Sequence, residues 1–124
     1  MGKTYFIDVD GTIVEYLTWE QLDAMALVNP ISTLAAETLL PGVKELWSKI
    51  TNEDSVVITT ARHENHRALT EKIFEDHSLR YDTILMDLPN GPRILINDTP
   101  DILIKKAIAI NVERNHGFYF KQSD

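Results

Sequence analysis

The chain has 124 residues, 44% hydrophobic and 25% charged, a length and balance that suit one soluble globular domain and exclude disordered and fibrous classes. Nineteen acids against twelve bases leave a net charge of −7, an unfavourable field for nucleic acid or an anionic membrane, and neither is expected as a partner. There is no cysteine, which rules out disulfides, thiol catalysis and thiolate metal sites. Any metal must then be held by oxygen or imidazole, with hard cations the default.

No apolar run approaches the length of a membrane span. Met1 to Ile7 leads straight into a strand-like stretch without a secretory apolar region and cleavage site. Phe6 stands where N-myristoylation wants Ser or Thr. A cytoplasmic protein is expected.

Tyr5-Phe6-Ile7 is an aromatic and β-branched run that ends on acids and a glycine, the pattern of a buried strand feeding a loop. Thr18-Trp19-Glu20-Gln21 has capping-box spacing ahead of Leu22, Met25, Ala26 and Leu27, which predicts a short helix over Thr18 to Val28, stopped by Asn29-Pro30. Residues 31–40 are apolar without clear period and read as a second short helix or a packed loop. Pro41-Gly42 opens a helix in which Val43, Leu46, Trp47 and Ile50 share one face. Ser55 to Thr59 is a second buried strand, followed by Thr60-Ala61-Arg62 and a polar helix from Glu64 to His77 that turns Leu69, Ile73 and Phe74 inward.

Thr83 to Met86 is read as a third strand, Ile94-Leu95-Ile96 as a fourth and Ala107 to Ile110 as a fifth. The polar tail, 113–124, is expected to fray or make oligomer contacts. Short apolar strands separated by helical segments predict an α/β fold with a mainly parallel five-stranded sheet, helices on both faces and ligands at the carboxyl ends of the strands.

The residues following each strand are therefore the site candidates. After the first strand come Asp8-Val9-Asp10-Gly11-Thr12. Two carboxylates two residues apart point the same way in extended backbone and can divide labour, one as ionised nucleophile and metal ligand, the other as proton donor and acceptor. Thr60, beside the next helix start, can bind a phosphoryl oxygen. Asn97-Asp98, after the fourth expected strand, can complete an oxygen shell for Mg²⁺.

Taken in this order, the strand ending in Asp-x-Asp-Gly-Thr, the strand followed by Thr-Ala-Arg and the strand followed by Asn-Asp resemble the haloacid dehalogenase-like hydrolase superfamily over Thr4 to Asp98. The resemblance implies a Rossmann-like three-layer sandwich and an Mg²⁺-dependent phosphatase acting on a small phosphorylated metabolite such as a sugar phosphate or nucleotide. It further implies that Asp8 attacks phosphorus, that Asp10 is the general acid and base and lends a carbonyl to the metal, and that Thr60 binds phosphate. Gly11, Thr12, Ala61 and Arg62 would line the phosphate site, and Asp98 would be the remaining metal-binding acid, with Asn97 in place of the first acid of an Asp-Asp pair.

The family's lysine has no clear counterpart; Arg93 is the expected substitute, with Lys72 and Lys105 behind it. The segment between the first two motifs, about 15–54, is too short for a large cap domain. The likeness is thus to the capless members, which often close their sites by forming homo-oligomers or act on large substrates. A receiver-like signalling domain is the alternative, although such domains carry adjacent acids after strand one. A catalytically weak relative kept as a binding or regulatory protein is another, motivated by the missing lysine. His63 and His66 are read as solvated, Trp19 and Trp47 as core residues, and Lys105-Lys106 as a solvated pair.

Overall fold

A computed structural model describes residues 1–120 of the chain. Three strands, β1 (Thr4–Asp8), β2 (Ser55–Thr59) and β3 (Thr83–Leu85), form one parallel sheet in the order β1-β2-β3. Asp8 lies opposite Thr59, and Thr59 opposite Leu85, so the three strands reach a common carboxyl edge and deliver their loops to the same place. Parallel strands need long crossovers, and here the crossovers carry the helices α1 (Trp19–Ala26), α2 (Val43–Ser48) and α3 (Arg67–Asp76). Short 3₁₀ turns at Ile31–Thr33 and Glu64–His66 complete the order.

Thr18 caps α1 as its spacing predicts: its hydroxyl accepts from the Gln21 amide while the Gln21 side chain returns a bond to the Thr18 amide. Residues 31–40 form a 3₁₀ turn and irregular chain rather than a helix. The core is built from alternate residues of β1 and β2 (Ile7, Val56, Ile58), the loop residues Val9, Ile13 and Val14, and the inward face of α3, where Ile73 and Phe74 are almost fully buried. Phe74 meets Tyr81 edge-on at 5.1 Å between ring centres, a geometry aromatic quadrupoles favour.

The expected fourth and fifth strands are a correction: among the described residues three strands form, not five. Ile94, Leu95 and Ile96 are 83%, 53% and 89% exposed, and Ile108 and Ile110 are similarly open. A β-branched run becomes a strand only when a neighbour takes up its backbone hydrogen bonds, and these runs pair with no strand among the described residues.

The expected frayed tail differs too. The Asn115 amide donates to the Gly11 carbonyl at 2.9 Å and the Phe118 amide to Pro41 at 2.7 Å, which docks residues 115–118 on the body; residues 121–124 of that tail lie outside the described residues. Among the described residues no helix is long and apolar enough to cross a membrane.

Candidate functional site

Immediately after β1 the chain must turn sharply. Gly11, at φ +83°, takes a left-handed conformation that costs glycine little. Its amide donates to the Val14 carbonyl at 2.7 Å, and the amides of Thr12 and Ile13 return to Val9. This loop presents Asp8 and Asp10 to a cavity of about 300 Å³ at the carboxyl edge of the sheet, the lower end of the size range for small-molecule sites.

Asp8 is half-buried and accepts a hydrogen bond from the Thr12 hydroxyl at 3.1 Å. Burial pushes its carboxyl above the usual aspartate range and outweighs the Thr12 bond and the Val9 amide, which act the other way. The neighbouring Asp10 charge adds to the upward push, and the Arg93 guanidinium opposes it. Asp8 thus sits where its negative charge is costly and a cation is welcome.

Asp10 has a different environment. Arg62, whose side chain is wholly buried, grips it with Nη2 2.9 Å from Oδ1 and Nε 3.0 Å from Oδ2. The other side of the same guanidinium meets Glu37 at 3.0 Å and the Thr70 hydroxyl at 3.3 Å. Burial works against the charge on Arg62, but the bonds and charges of Asp10 and Glu37 prevail and push its pKa up. Arg62 was expected to line the phosphate site. It does reach the cavity wall, yet its donors are spent on two acids and one hydroxyl, and its evident work is to orient Asp10.

Of the other candidates, Ala61 and Arg93 line the cavity with Asp8 and Asp10. Arg93 donates to the carbonyls of Pro89 and Gly91 at 2.7 and 2.8 Å. Thr12 acts through Asp8, and Gly11 supplies the turn. Thr60 is 1% exposed, its Oγ1 accepts from the Arg62 amide at 3.0 Å, and it is not part of the cavity lining.

Asp98 is not brought to the cavity; it lies on the exposed segment after residue 90, 3.5 Å from Lys106, and the Asn97 side chain donates to the Lys106 carbonyl. Lys106 is solvated as expected, in an exposed ion pair with Asp98. Lys72 pairs with Asp76 at 2.7 Å and Lys105 is exposed; neither lines the cavity.

His66 departs from its solvated reading, while His63 is exposed as expected. His66 is fully buried, with Nε2 2.6 Å from Asp23, and its ring stacks on His63, which stacks in turn on Trp19 at 4.6 Å. Trp19, expected in the core, is 44% exposed and forms part of the cavity wall, anchored by its indole N–H to the Ala61 carbonyl. Trp47 is half-buried against the core, as expected.

Sequence reasoning missed Glu37, Tyr16 and Arg114. Tyr16 and Arg114 both line the cavity, and no motif spacing marks either.

For a metal, the donors at the cavity are right in kind, since the Asp8 carboxylate and the Asp10 carbonyl are hard oxygen ligands that suit Mg²⁺. They are one acid short of the expected set, because Asp98 stands elsewhere. Among the described residues no three carboxylate or imidazole side chains converge to hold a metal.

Comparison of the chain with protein-family models, with curated proteins and with solved structures finds no match.

Proposed function

We propose that the protein hydrolyses phosphomonoesters of small metabolites as a haloacid dehalogenase-like phosphatase, through a covalent intermediate on Asp8. The observation that carries this reading is that Asp8 and Asp10, from one tight loop, face a single cavity at the sheet edge in contrasting environments, one desolvated and near Arg93, the other clamped by Arg62. Two acids set apart by their surroundings can divide labour; which of them is nucleophile and which proton carrier follows the resemblance, and Asp8 ionises for attack only with cations beside it, Arg93 and a bound metal.

An Asp8 carboxylate oxygen attacks phosphorus as the ester P–O bond breaks, and the departing oxygen takes a proton from Asp10, leaving an aspartyl phosphate. Asp10, now a carboxylate, takes a proton from water as the water oxygen attacks phosphorus. The acyl-phosphate bond then breaks, and inorganic phosphate leaves with Asp8 restored. The Arg62 fork orients Asp10, which enters the first step as the acid and the second as the carboxylate, and Arg93 offsets negative charge beside Asp8. Bound Mg²⁺, held by the Asp8 carboxylate and the Asp10 carbonyl, would supply further positive charge to phosphoryl oxygens.

The finer fold belongs to the same reading. β1 is an edge strand, and the Ile94-Leu95-Ile96 run is apolar and exposed. Adding that run in parallel to β1 in the liganded state would extend the sheet and carry Asp98 toward the edge that holds Asp8.

The test is to react the protein with an aryl phosphate in Mg²⁺, quench with acid and locate the phosphoryl group by mass spectrometry. The parent is expected to carry it on Asp8 and Asp8→Asn to carry none, with turnover abolished by chelator. Phosphate on another residue, or full activity in excess chelator, would sink the assignment. Asp98 lying away from the cavity favours a second reading, a weak relative that binds phosphorylated ligands without turnover; ligand binding without any phosphoenzyme would support it.

A further inference from the structure

Five arginines occur in the chain. Arg62, Arg67 and Arg80 each pair with a carboxylate: Arg62 with Asp10 and Glu37, Arg67 with Glu64, and Arg80 with Asp82. Arg93 and Arg114 have no carboxylate within ion-pair distance among the described residues, and both line the cavity that holds Asp8. In a chain with seven more acids than bases, this cavity is balanced, with Asp8, Asp10 and Glu20 against Arg62, Arg93 and Arg114, and two of its guanidinium groups are not paired to a carboxylate, which an anionic ligand would exploit.

Arg114 is held there without an acid. Its guanidinium carbon lies 4.1 Å from the centre of the Tyr16 ring, a cation–π contact that fixes the group while leaving its N–H donors free. Asn115 secures the backbone on both sides of the acidic loop, donating its amide to Gly11 and accepting the Tyr16 amide on Oδ1 at 2.7 Å. Gly11 also makes room, since a Cβ there would stand 2.9 Å from the Arg114 Cγ. The same glycine that turns the chain after Asp10 therefore admits the Arg114 stem against the loop.

We propose that Arg114 binds the phosphoryl group of the substrate, its planar fork donating to two of the phosphoryl oxygens. The proposal deepens the phosphatase reading of this cavity and rests on it for the identity of the substrate. It assigns to Arg114 the fixed positive charge at phosphate, with Arg93 acting at Asp8. Tyr16 and Asn115 are positioning residues for it.

Binding of inorganic phosphate, measured by calorimetry in excess Mg²⁺, tests this without requiring turnover. Arg114→Gln is expected to weaken phosphate binding about tenfold or more, the usual size of a lost charge-assisted contact. Arg114→Lys should recover part of the loss, and both variants should keep the parent's thermal midpoint. Tyr16→Ala, which removes the platform but keeps the charge, should weaken binding by a smaller factor, while Tyr16→Phe should match the parent.

Phosphate binding within twofold of the parent in Arg114→Gln, or no phosphate binding by the parent, would overturn the proposal. A loss of binding matched by a loss of folding in Arg114→Gln and not relieved in Arg114→Lys would overturn it as well, by making the role structural. If the parent hydrolyses no ester yet binds phosphate through Arg114, the phosphatase reading falls and this assignment stands.

Discussion

Arg62 and Asp10 are joined by two hydrogen bonds of 2.9 and 3.0 Å, with the Arg62 side chain wholly enclosed and the Asp10 side chain only 14% exposed. A pair so placed gains its stability from completeness, because either partner alone would be a charge held away from water. Glu37, 13% exposed on the other side of the guanidinium, shares that dependence.

Arg62→Ala is therefore expected to lower stability by about 3–5 kcal/mol, the scale for breaking a buried ion pair. Arg62→Lys should recover only part, since an ammonium cannot bridge both acids with a planar fork. Urea unfolding of the three proteins measures this. A cost below about 1 kcal/mol would place the pair among weak surface ion pairs.

The Asp8 carboxyl is raised above its ordinary range chiefly by burial, so its ionised form weakens the fold. The stability associated with the protonated form is complete below the unfolded-state pKa and is lost as pH rises through the higher folded-state value. Asp8→Asn, which mimics the protonated group, is expected to be more stable than the parent at neutral pH. The advantage should vanish in acid below the ordinary aspartate range. Thermal midpoints of both proteins across that range measure the difference, and a parent more stable than Asp8→Asn at neutral pH would contradict the burial argument.

If Asp10 carries the proton, Asp10→Asn should cost about 10²–10⁴-fold in turnover, the usual yield of general acid–base catalysis. The loss in the phosphorylation step should be larger for alkyl phosphates, whose leaving oxygens need a proton, than for nitrophenyl phosphate. Single-turnover rates on the two esters separate these cases, and equal losses would assign Asp10 a purely structural part through Arg62.

Arg93 bears on Asp8 in the direction that favours its ionised form. Arg93→Ala is expected to reduce kcat/KM by about 10²–10³-fold, the size of one lost preorganised electrostatic contact, with partial recovery in Arg93→Lys. It should also move the acidic limb of the pH–rate profile upward, because Asp8 loses a neighbour that holds its pKa down. An unchanged limb would separate Arg93 from Asp8.

What the sequence disclosed is what depends on near neighbours. The Thr18 capping box, the inward stripe of α3 and the three paired strands all rest on local period and spacing; α1 and the strands stand within a residue or two of their predicted bounds, and α3 starts three residues later than predicted, after the 3₁₀ turn at Glu64–His66. The Asp8 and Asp10 pair was legible because β1 must end where its apolar run ends. The rest depended on distant partners. Ile94 to Ile96 has the composition of a strand, but composition does not supply the neighbour that makes it one.

Arg62 reads as a ligand-binding cation until Glu37, 25 residues away, takes two of its donors. His66 reads as solvated until Asp23 and the stack with His63 enclose it. Arg114 lies in a polar stretch with no pattern at all, and its place is set by a Tyr16–Asn115 bond spanning 99 residues.

That last bond also bears on the order in which the molecule can be completed during synthesis. Asp8, Asp10 and Gly11 leave the ribosome early, yet the cavity wall formed by Arg114 cannot exist until residues 114–118 have emerged and docked on Gly11 and Pro41. A nascent chain can close its sheet once β3 is out while its acidic loop still lacks this cation. Chains interrupted before residue 114 would carry both acids without that cation. The Arg114 side of the cavity is thus completed late in translation, after both acids and Arg93 have already been made.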